Sequence, residues 1–134
     1  MEFSSLVLIE RDSEGKFLKE YDSFNAEEGA EYITKFYTDR SNIYIVFDTN
    51  SDVEDWEFTG IFDLFDRESF TEAGYTINDI EEEYNPTFEV IIPFEDDYDY
   101  INDKLQDVSR KINITMTKVF ADIVGRENDY KGEE

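Results

Sequence analysis

Residues 101–123 read INDKLQDVSRKINITMTKVFADI and carry the clearest structural signal in the chain. Apolar side chains recur there at intervals of three and four residues, which is the spacing of one face of an α-helix. The stripe consists of Ile101, Leu105, Val108, Ile112, Met116, Val119 and Ile123. A stripe of about six turns needs a broad apolar surface to pack against. We therefore predict a long amphipathic C-terminal helix packed on one face of a sheet.

Four segments upstream of this helix are rich in β-branched and aromatic residues and are predicted to be strands. They are residues 5–10, 16–22, 42–48 and 87–92. The first two are joined by a short loop that contains Gly15, which is typical of a hairpin. Because hairpin strands are antiparallel, the predicted sheet is mixed rather than wholly parallel.

Helices are predicted between these strands. Helical spacing of apolar residues predicts one to about residue 38, built on Ala26, Ala30, Ile33 and Tyr37. Residues 67–74 resemble a short helical turn, and residues 76–85 a short helix that opens at Thr76 and ends before Pro86. The predicted order is β-β-α-β-α-α-β-α, an α+β fold with four strands.

Residues 52–66 fit two structures. Alternating aromatic and aliphatic residues fit a strand, whereas Ser51 and Glu54 have the spacing of a capping box that opens a helix. Carboxylates at Asp52, Glu54 and Asp55 would also interact favourably with the positive end of a helix. Capping and dipole together favour the helix.

The length of 134 residues is that of one domain, predicted at residues 1–126 and followed by a frayed acidic tail at 127–134. Hydrophobic residues make up 40% of the chain, enough for a real core despite a formal net charge of -23. The start, MEFSSLVLIERD, has no basic segment, and its apolar run is too short for a signal or membrane segment. We therefore expect a cytoplasmic protein without membrane contact.

Cysteine and histidine are both absent. The chain therefore has no thiolate nucleophile, no disulfide, and neither the commonest general base nor the commonest transition-metal ligand. It also contains no glycine-rich phosphate loop and no nucleophile elbow. We predict no catalytic residue, no cofactor and no metal ligand, although a carboxylate pair could by itself support glycoside hydrolysis.

Negative charge is concentrated in one third of the chain. Residues 51–100, hereafter the acidic segment, contain 17 acids and one base, Arg67, whereas residues 101–134 contain 7 acids and 6 bases. Such a field disfavours direct binding to a nucleic-acid backbone or an anionic membrane. It favours a basic protein as the partner.

The stretch DTNSDVEDWEF, residues 48–58, places acidic and amide oxygens at alternating positions, as a calcium loop does. An EF-hand loop that starts at Asp48 needs glycine at its sixth position and glutamate at its twelfth. Those positions hold Val53 and Thr59. A strand end followed by an acidic first helical turn explains the same residues better than a calcium site.

Two further acidic clusters are candidates for an interaction surface: Glu81, Glu82 and Glu83, and Asp96, Asp97 and Asp99. The aspartates are also explained by a helix start with Asp96 or Asp97 as its N-cap. The glutamates are predicted in the last turn of a helix, where they would repel one another and the negative helix end. Since no local rule favours them there, they are the stronger candidate, with solubility as the alternative explanation.

These observations predict a non-catalytic interaction module with an acidic surface from residues 51–100. The alternative is a nucleic-acid mimic, in which a spaced row of carboxylates imitates phosphates and inhibits a DNA- or RNA-binding protein. A calcium-binding protein or a carboxylate-only enzyme is less favoured by the same residues.

Several segments, spread over residues 28–88, resemble a family of small acidic bacterial proteins of unknown function. The segments are EGAEYI, VFDTN, VEDWEF, DLFD and EEYNPTF. The resemblance implies a bacterial source and a one-domain protein, and it implies no activity.

Overall fold

A computed structural model describes residues 4–26 and 28–131 of the protein. The protein has an α+β fold in which helices pack on a mixed sheet. The strands are β1 (Ser4–Arg11), β2 (Phe17–Ala26), β3 (Ile33–Thr38), β4 (Asn42–Asp48), β5 (Thr76–Ile80) and β6 (Thr87–Pro93). The helices are α1 (Asp55–Leu64), α2 (Glu68–Thr71), α3 (Tyr98–Asp122) and α4 (Glu127–Tyr130). A 3₁₀ turn at Ala30–Tyr32 precedes β3.

The sheet has six strands in the order β2-β1-β3-β4-β6-β5. Its neighbouring strands are antiparallel except β1 and β3, which are parallel. The prediction of a mixed sheet is therefore confirmed, and the prediction of four strands is wrong. Both additional strands were predicted to be helices.

The helix predicted to extend to residue 38 is replaced by the 3₁₀ turn and β3. Phe36 is buried while Tyr37 is half-exposed, which is the alternation of a strand. β3 lies between β1 and β4, so its backbone forms hydrogen bonds on both sides. Those long-range bonds, together with the β-branched Ile33 and Thr34, outweigh a weak helical pattern.

The helix predicted at 76–85 is replaced by β5 and a loop at residues 81–86. β5 is an edge strand that pairs along its full length with β6. Thr76, Ile77 and Ile80 are β-branched and lose side-chain freedom in a helix, whereas the pleated edge accommodates them. Thr76 therefore begins a strand and does not open a helix.

Residues 52–66 contain helix α1, as predicted, but the helix begins later than expected. Glu54 is the N-cap, and its backbone N–H donates to Glu57 Oε1 at 2.8 Å in a capping box. Ser51 does not cap the helix, because its hydroxyl donates to the carbonyl oxygen of Thr49. Of the three carboxylates predicted for the first turn, Asp55 lies there, together with Glu57, whereas Glu54 is the N-cap and Asp52 precedes the helix.

Helix α3 has 25 residues and is therefore about 37 Å long. All seven residues of its predicted apolar stripe are buried, with at most 5% of any of them exposed. The stripe packs against alternate residues of the central strands, namely Ile43, Ile45, Phe47, Phe88, Val90 and Ile92. The core is thus a layer between α3 and one face of the sheet, closed at its side by aromatic residues of α1 and α2.

Part of the segment predicted as a frayed tail is helical. Residues 127–130 form α4, which packs on α1. Residues 132–134 lie outside the described part of the chain. No helix within the described residues is long and apolar enough to span a membrane.

Candidate functional site

Glu81, Glu82 and Glu83 are exposed in the loop between β5 and β6. They are not in the last turn of a helix, because the predicted helix is a strand. The prediction that they oppose a helix dipole is therefore wrong.

Asp97 is the N-cap of α3, as the alternative explanation of that cluster predicted. Its carboxylate accepts hydrogen bonds from the backbone N–H groups of Asp99, at 3.0 Å, and Tyr100, at 3.4 Å. Asp99 lies in the first helical turn, where its charge suits the positive end of the helix. Both residues thus have a structural role at the start of α3.

Asp96 connects the loop before α3 to strand β2 and to the turn between β3 and β4. It accepts a hydrogen bond from the Tyr21 hydroxyl and lies 3.8 Å from the Arg40 guanidinium. Burial and this hydrogen bond raise the pKa of Tyr21 to about 12. Asp96 is therefore partly neutralised by contacts within the fold.

The two predicted clusters do not form one surface. The glutamate loop precedes Thr87, at the β6 end that pairs with Asp48, whereas the aspartates follow Pro93, at the end that pairs with Asn42. Strand β6 is seven residues long, so its two ends lie roughly 20 Å apart. The six residues therefore divide into two groups of three at opposite ends of the sheet.

The glutamate loop has acidic neighbours at its own end of the sheet. The chain leaves β4 there at Asp48 and continues through residues 49–54 to α1. We call this region the acidic end, and its carboxylates are Asp48, Asp52, Glu54, Asp55, Glu81, Glu82 and Glu83. No lysine or arginine occurs in the sequence between Arg40 and Arg67. The connecting segment thus supplies no base to neutralise the acidic end.

Arg67, the one base of the acidic segment, is used inside the fold. Its guanidinium forms two 2.8 Å bonds to Asp79 and donates to the carbonyl oxygens of Phe62, at 2.6 Å, and Phe65, at 3.2 Å. This bidentate pair holds the end of α1 against the edge strand β5. It leaves the charge of the remaining carboxylates almost unchanged.

The loop considered for calcium is closed by its own hydrogen bonds. Asp48 Oδ1 accepts from the backbone N–H of Asn50 at 2.8 Å, and Asn50 adopts a left-handed conformation with φ 56°. Asparagine tolerates this conformation better than most residues. Within residues 4–26 and 28–131, no three acidic side chains converge in a metal-binding arrangement.

A second surface feature lies where helix α1 meets the C-terminal segment of the chain. The sequence did not predict it. Trp56, Gly60 and Asp63 form a stripe at helical spacing, and Tyr130 of α4 packs against it. The Tyr130 hydroxyl donates to Asp63 at 2.7 Å, and this bond raises the pKa of Tyr130 above its ordinary value. A cavity of ≈ 640 Å³ adjoins the stripe. Its lining residues are Glu54, Asp55, Trp56, Thr59, Tyr130 and Lys131.

The sheet face opposite α3 is a third feature. One row of directly paired residues crosses all six strands, in the order Glu20, Ile9, Tyr37, Tyr44, Ile91 and Thr76. The four central residues are half-buried and do not belong to the core packed against the helices. The Tyr37 and Tyr44 rings stack at 4.8 Å, and the Arg11 guanidinium lies 4.2 Å over Tyr37. Among the described strand residues of this face, Glu89 is the one carboxylate from the acidic segment.

The acidic segment therefore presents its charge on the helices, the loops and the ends of the sheet rather than on the open sheet face. Fourteen of its seventeen carboxylates are exposed, and Glu57, Asp66 and Glu89 are half-buried. Within the described residues, two of the seventeen form ion pairs, Asp79 with Arg67 and Asp96 with Arg40.

Comparison with known proteins agrees with the resemblance seen in the sequence. No curated protein and no solved structure matches the chain. A family model described as a family of unknown function (DUF6762) matches residues 1–131. This match covers nearly the whole chain, and the protein therefore belongs to the DUF6762 family of unknown function.

Proposed function

We propose that this protein is a non-catalytic interaction module that binds a basic protein through its acidic end. The observation that supports this is the concentration of exposed carboxylates at one end of the sheet, in the segment between β4 and α1, at the α1 start and in the β5–β6 loop. Ion pairing within the fold neutralises little of this charge. The field of the acidic end is thus available to attract a partner.

Electrostatic attraction between exposed charges acts mainly on the rate of association. It depends on the Debye length, which falls from about 10 Å at 0.1 M salt to about 3 Å at 1 M. Binding to the acidic end should therefore weaken steeply as salt is added, chiefly through slower association. A contact held mainly by apolar packing would lack this dependence.

The alternative function, a nucleic-acid mimic, needs its carboxylates in a spaced row on one surface. The carboxylates of the acidic segment are instead distributed over both ends of β6, α1 and α2. This distribution favours a partner that recognises only the acidic end. It is less suited to a mimic, whose carboxylates must fill the DNA-binding groove of its partner as a row.

The experiment is capture from cell lysate with the full-length protein immobilised, at about 0.1 M and about 1 M salt. The test variant neutralises the loop with Glu81→Gln, Glu82→Gln and Glu83→Gln. A matched control neutralises three exposed acids elsewhere with Glu14→Gln, Glu20→Gln and Asp22→Asn. Both variants change the net charge by the same amount.

We expect a basic protein that wild type and control capture at low salt, that high salt releases, and that the loop variant fails to capture. Equal capture by both variants would remove the loop from the interface and leave solubility as the explanation of its charge. Duplex DNA added as a competitor tests the alternative, because a mimic's partner would be released by DNA at constant ionic strength.

A further inference from the structure

The C-terminal segment is held on α1 by one aromatic side chain that fills a notch at a glycine. A β-carbon added to Gly60 would lie 3.1 Å from two atoms of the Tyr130 ring, which is closer than ordinary packing. The absence of a side chain at Gly60 therefore makes room for the ring. The hydrogen bond from Tyr130 to Asp63 then fixes the ring's orientation.

Next to this notch, a polar atom lacks a partner. Trp56 Nε1 is buried and has no hydrogen-bond acceptor within the described part of the chain. A buried donor without an acceptor is unfavourable, so a rearrangement that brings an acceptor to Trp56, one of the residues that line the cavity, would be favoured.

The cavity wall carries two acidic side chains and one basic side chain. Glu54 and Asp55 line it from α1, and Lys131 lines it from the C-terminal segment. Lys131 Nζ additionally lies 2.6 Å from Glu127 Oε1. An aromatic residue followed directly by a base is therefore the chemistry that the chain itself places against this acidic surface.

The segment that fills the site is weakly held. Helix α4 has four residues, far fewer than a helix needs to persist by itself. Residues 127–129 and 131 are exposed, so Tyr130 is the main anchor. Short terminal elements with few buried contacts open locally at low free-energy cost.

The geometry points to a peptide-docking site on α1, formed by Trp56, Thr59, Gly60 and Asp63 with Glu54 and Asp55 at its edge. Its occupant is a segment of a basic partner in which an aromatic residue precedes a lysine or arginine. The chain's own Tyr130 and Lys131 occupy the site in competition with that segment. This inference rests on the proposed function, because it specifies how a basic partner would engage the acidic end.

The test uses the full-length protein and the fluorescence of Trp56, which is the one tryptophan in the chain. The probe is the peptide RQNNYKGQQ, residues 126–134 with each acid replaced by its amide. A control peptide, RQNNAKGQQ, lacks the aromatic ring and keeps both bases. Tyr130→Ala is the variant that vacates the site, and Tyr84→Ala, at a tyrosine that is exposed in the β5–β6 loop, is its control.

We expect Tyr130→Ala to change the Trp56 emission and to bind the probe about tenfold more tightly than wild type. That factor corresponds to a site that its own tail leaves open in about one wild-type molecule in ten. Gly60→Leu should abolish binding by filling the notch, and Asp63→Asn gives a second, milder variant should Gly60→Leu not fold. Tyr84→Ala should behave as wild type.

Equal affinity of wild type and Tyr130→Ala for the probe would overturn the competition by the tail. Equal binding of both peptides would overturn the aromatic anchor and leave attraction by charge alone. The lysate experiment is independent of both outcomes. Salt-dependent capture without peptide binding would place the partner elsewhere on the acidic end, and peptide binding without any captured protein would count against the proposed function only.

Discussion

Gly29 packs directly against the backbone of Ser109, so that a β-carbon on Gly29 would overlap the Ser109 carbonyl oxygen and lie 2.8 Å from its carbonyl carbon. Gly29 also has φ 95°, a conformation that other residues rarely adopt. The turn before β3 thus approaches α3 as closely as two backbones allow. Only glycine both leaves room for the Ser109 carbonyl and adopts this positive φ without strain.

Gly29→Ala is expected to destabilise the protein by about 3 kcal/mol or more, because it adds backbone strain to a clash with the α3 backbone. Gly15→Ala is the matched control, since Gly15 has φ 85° and a β-carbon added there would meet no atom within 4 Å. It should lose only the conformational part, about 1–2 kcal/mol. Urea unfolding midpoints measure both, and equal losses would show that the contact with Ser109 is unimportant.

The Tyr75 hydroxyl donates to Asp107 of α3 at 2.5 Å. Burial alone would raise the pKa of Asp107, but this hydrogen bond and the charges of Lys111 and Arg110 together lower it below its ordinary value. Burial and the same hydrogen bond raise the pKa of Tyr75. The bond therefore requires a protonated tyrosine and an ionised aspartate.

Tyr75→Phe should cost about 1.5–3 kcal/mol at neutral pH, the range for hydrogen bonds to charged groups. Because the folded-state pKa of Asp107 is lowered, its contribution is fully present above the unfolded pKa of about 4 and is lost as the pH falls from there through the lower, folded-state pKa. Because the pKa of Tyr75 is raised, its contribution is present below about pH 10 and is lost at higher pH. The difference between variant and wild type in urea unfolding should therefore shrink at both extremes, and a difference independent of pH would contradict this account.

Leu105→Ala tests the apolar stripe of α3. Leu105 is 1% exposed, so truncation leaves a cavity between the helix and the sheet and should cost roughly 2–5 kcal/mol. Ile114 is 63% exposed on the same helix, and Ile114→Ala should change the unfolding free energy by less than about 0.5 kcal/mol. Unfolding of Leu105→Ala at the wild-type midpoint would mean that the stripe does not stabilise the core.

Arg40 adopts a left-handed conformation, φ 73°, in the turn between β3 and β4. Its guanidinium lies 3.2 Å from Glu10 and within 5.8 Å of the ring centres of Tyr21 and Phe94. Arg40→Ala keeps the strained backbone and loses these contacts, so we expect a loss of about 1–2 kcal/mol. Arg40→Gly relieves the strain and should exceed Arg40→Ala in stability by about 1 kcal/mol. Identical thermal midpoints for the two variants would exclude strain at this turn.

Where the local pattern and the tertiary contacts favour the same structure, the sequence was sufficient to predict the element. The stripe from Ile101 to Ile123 predicted α3 and its buried face, and the acidic first turn predicted α1. The two missed strands show the opposite case. Residues 33–38 and 76–80 carry weak helical or capping patterns, and each became a strand because a neighbouring strand offered it hydrogen bonds that no local pattern reveals.

The candidate site divides in the same way. Composition located the acidic segment and selected Glu81, Glu82 and Glu83, although the helix end predicted for them was wrong. The separation of these residues from Asp96, Asp97 and Asp99 depends on the direction and length of β6. The contact of Tyr130 with Gly60 joins residues 70 positions apart, and no local spacing predicts it.

The sequence by itself determined the net charge, the concentration of acids in residues 51–100, and the long helix, because these depend on composition and on spacing within a few turns. Tertiary structure alone decided the six-stranded order, the division of the acids between two ends, and the seat of Tyr130 on α1. These follow from backbone pairing and close packing between distant segments, whose free energy is gained only when the whole sheet and core assemble.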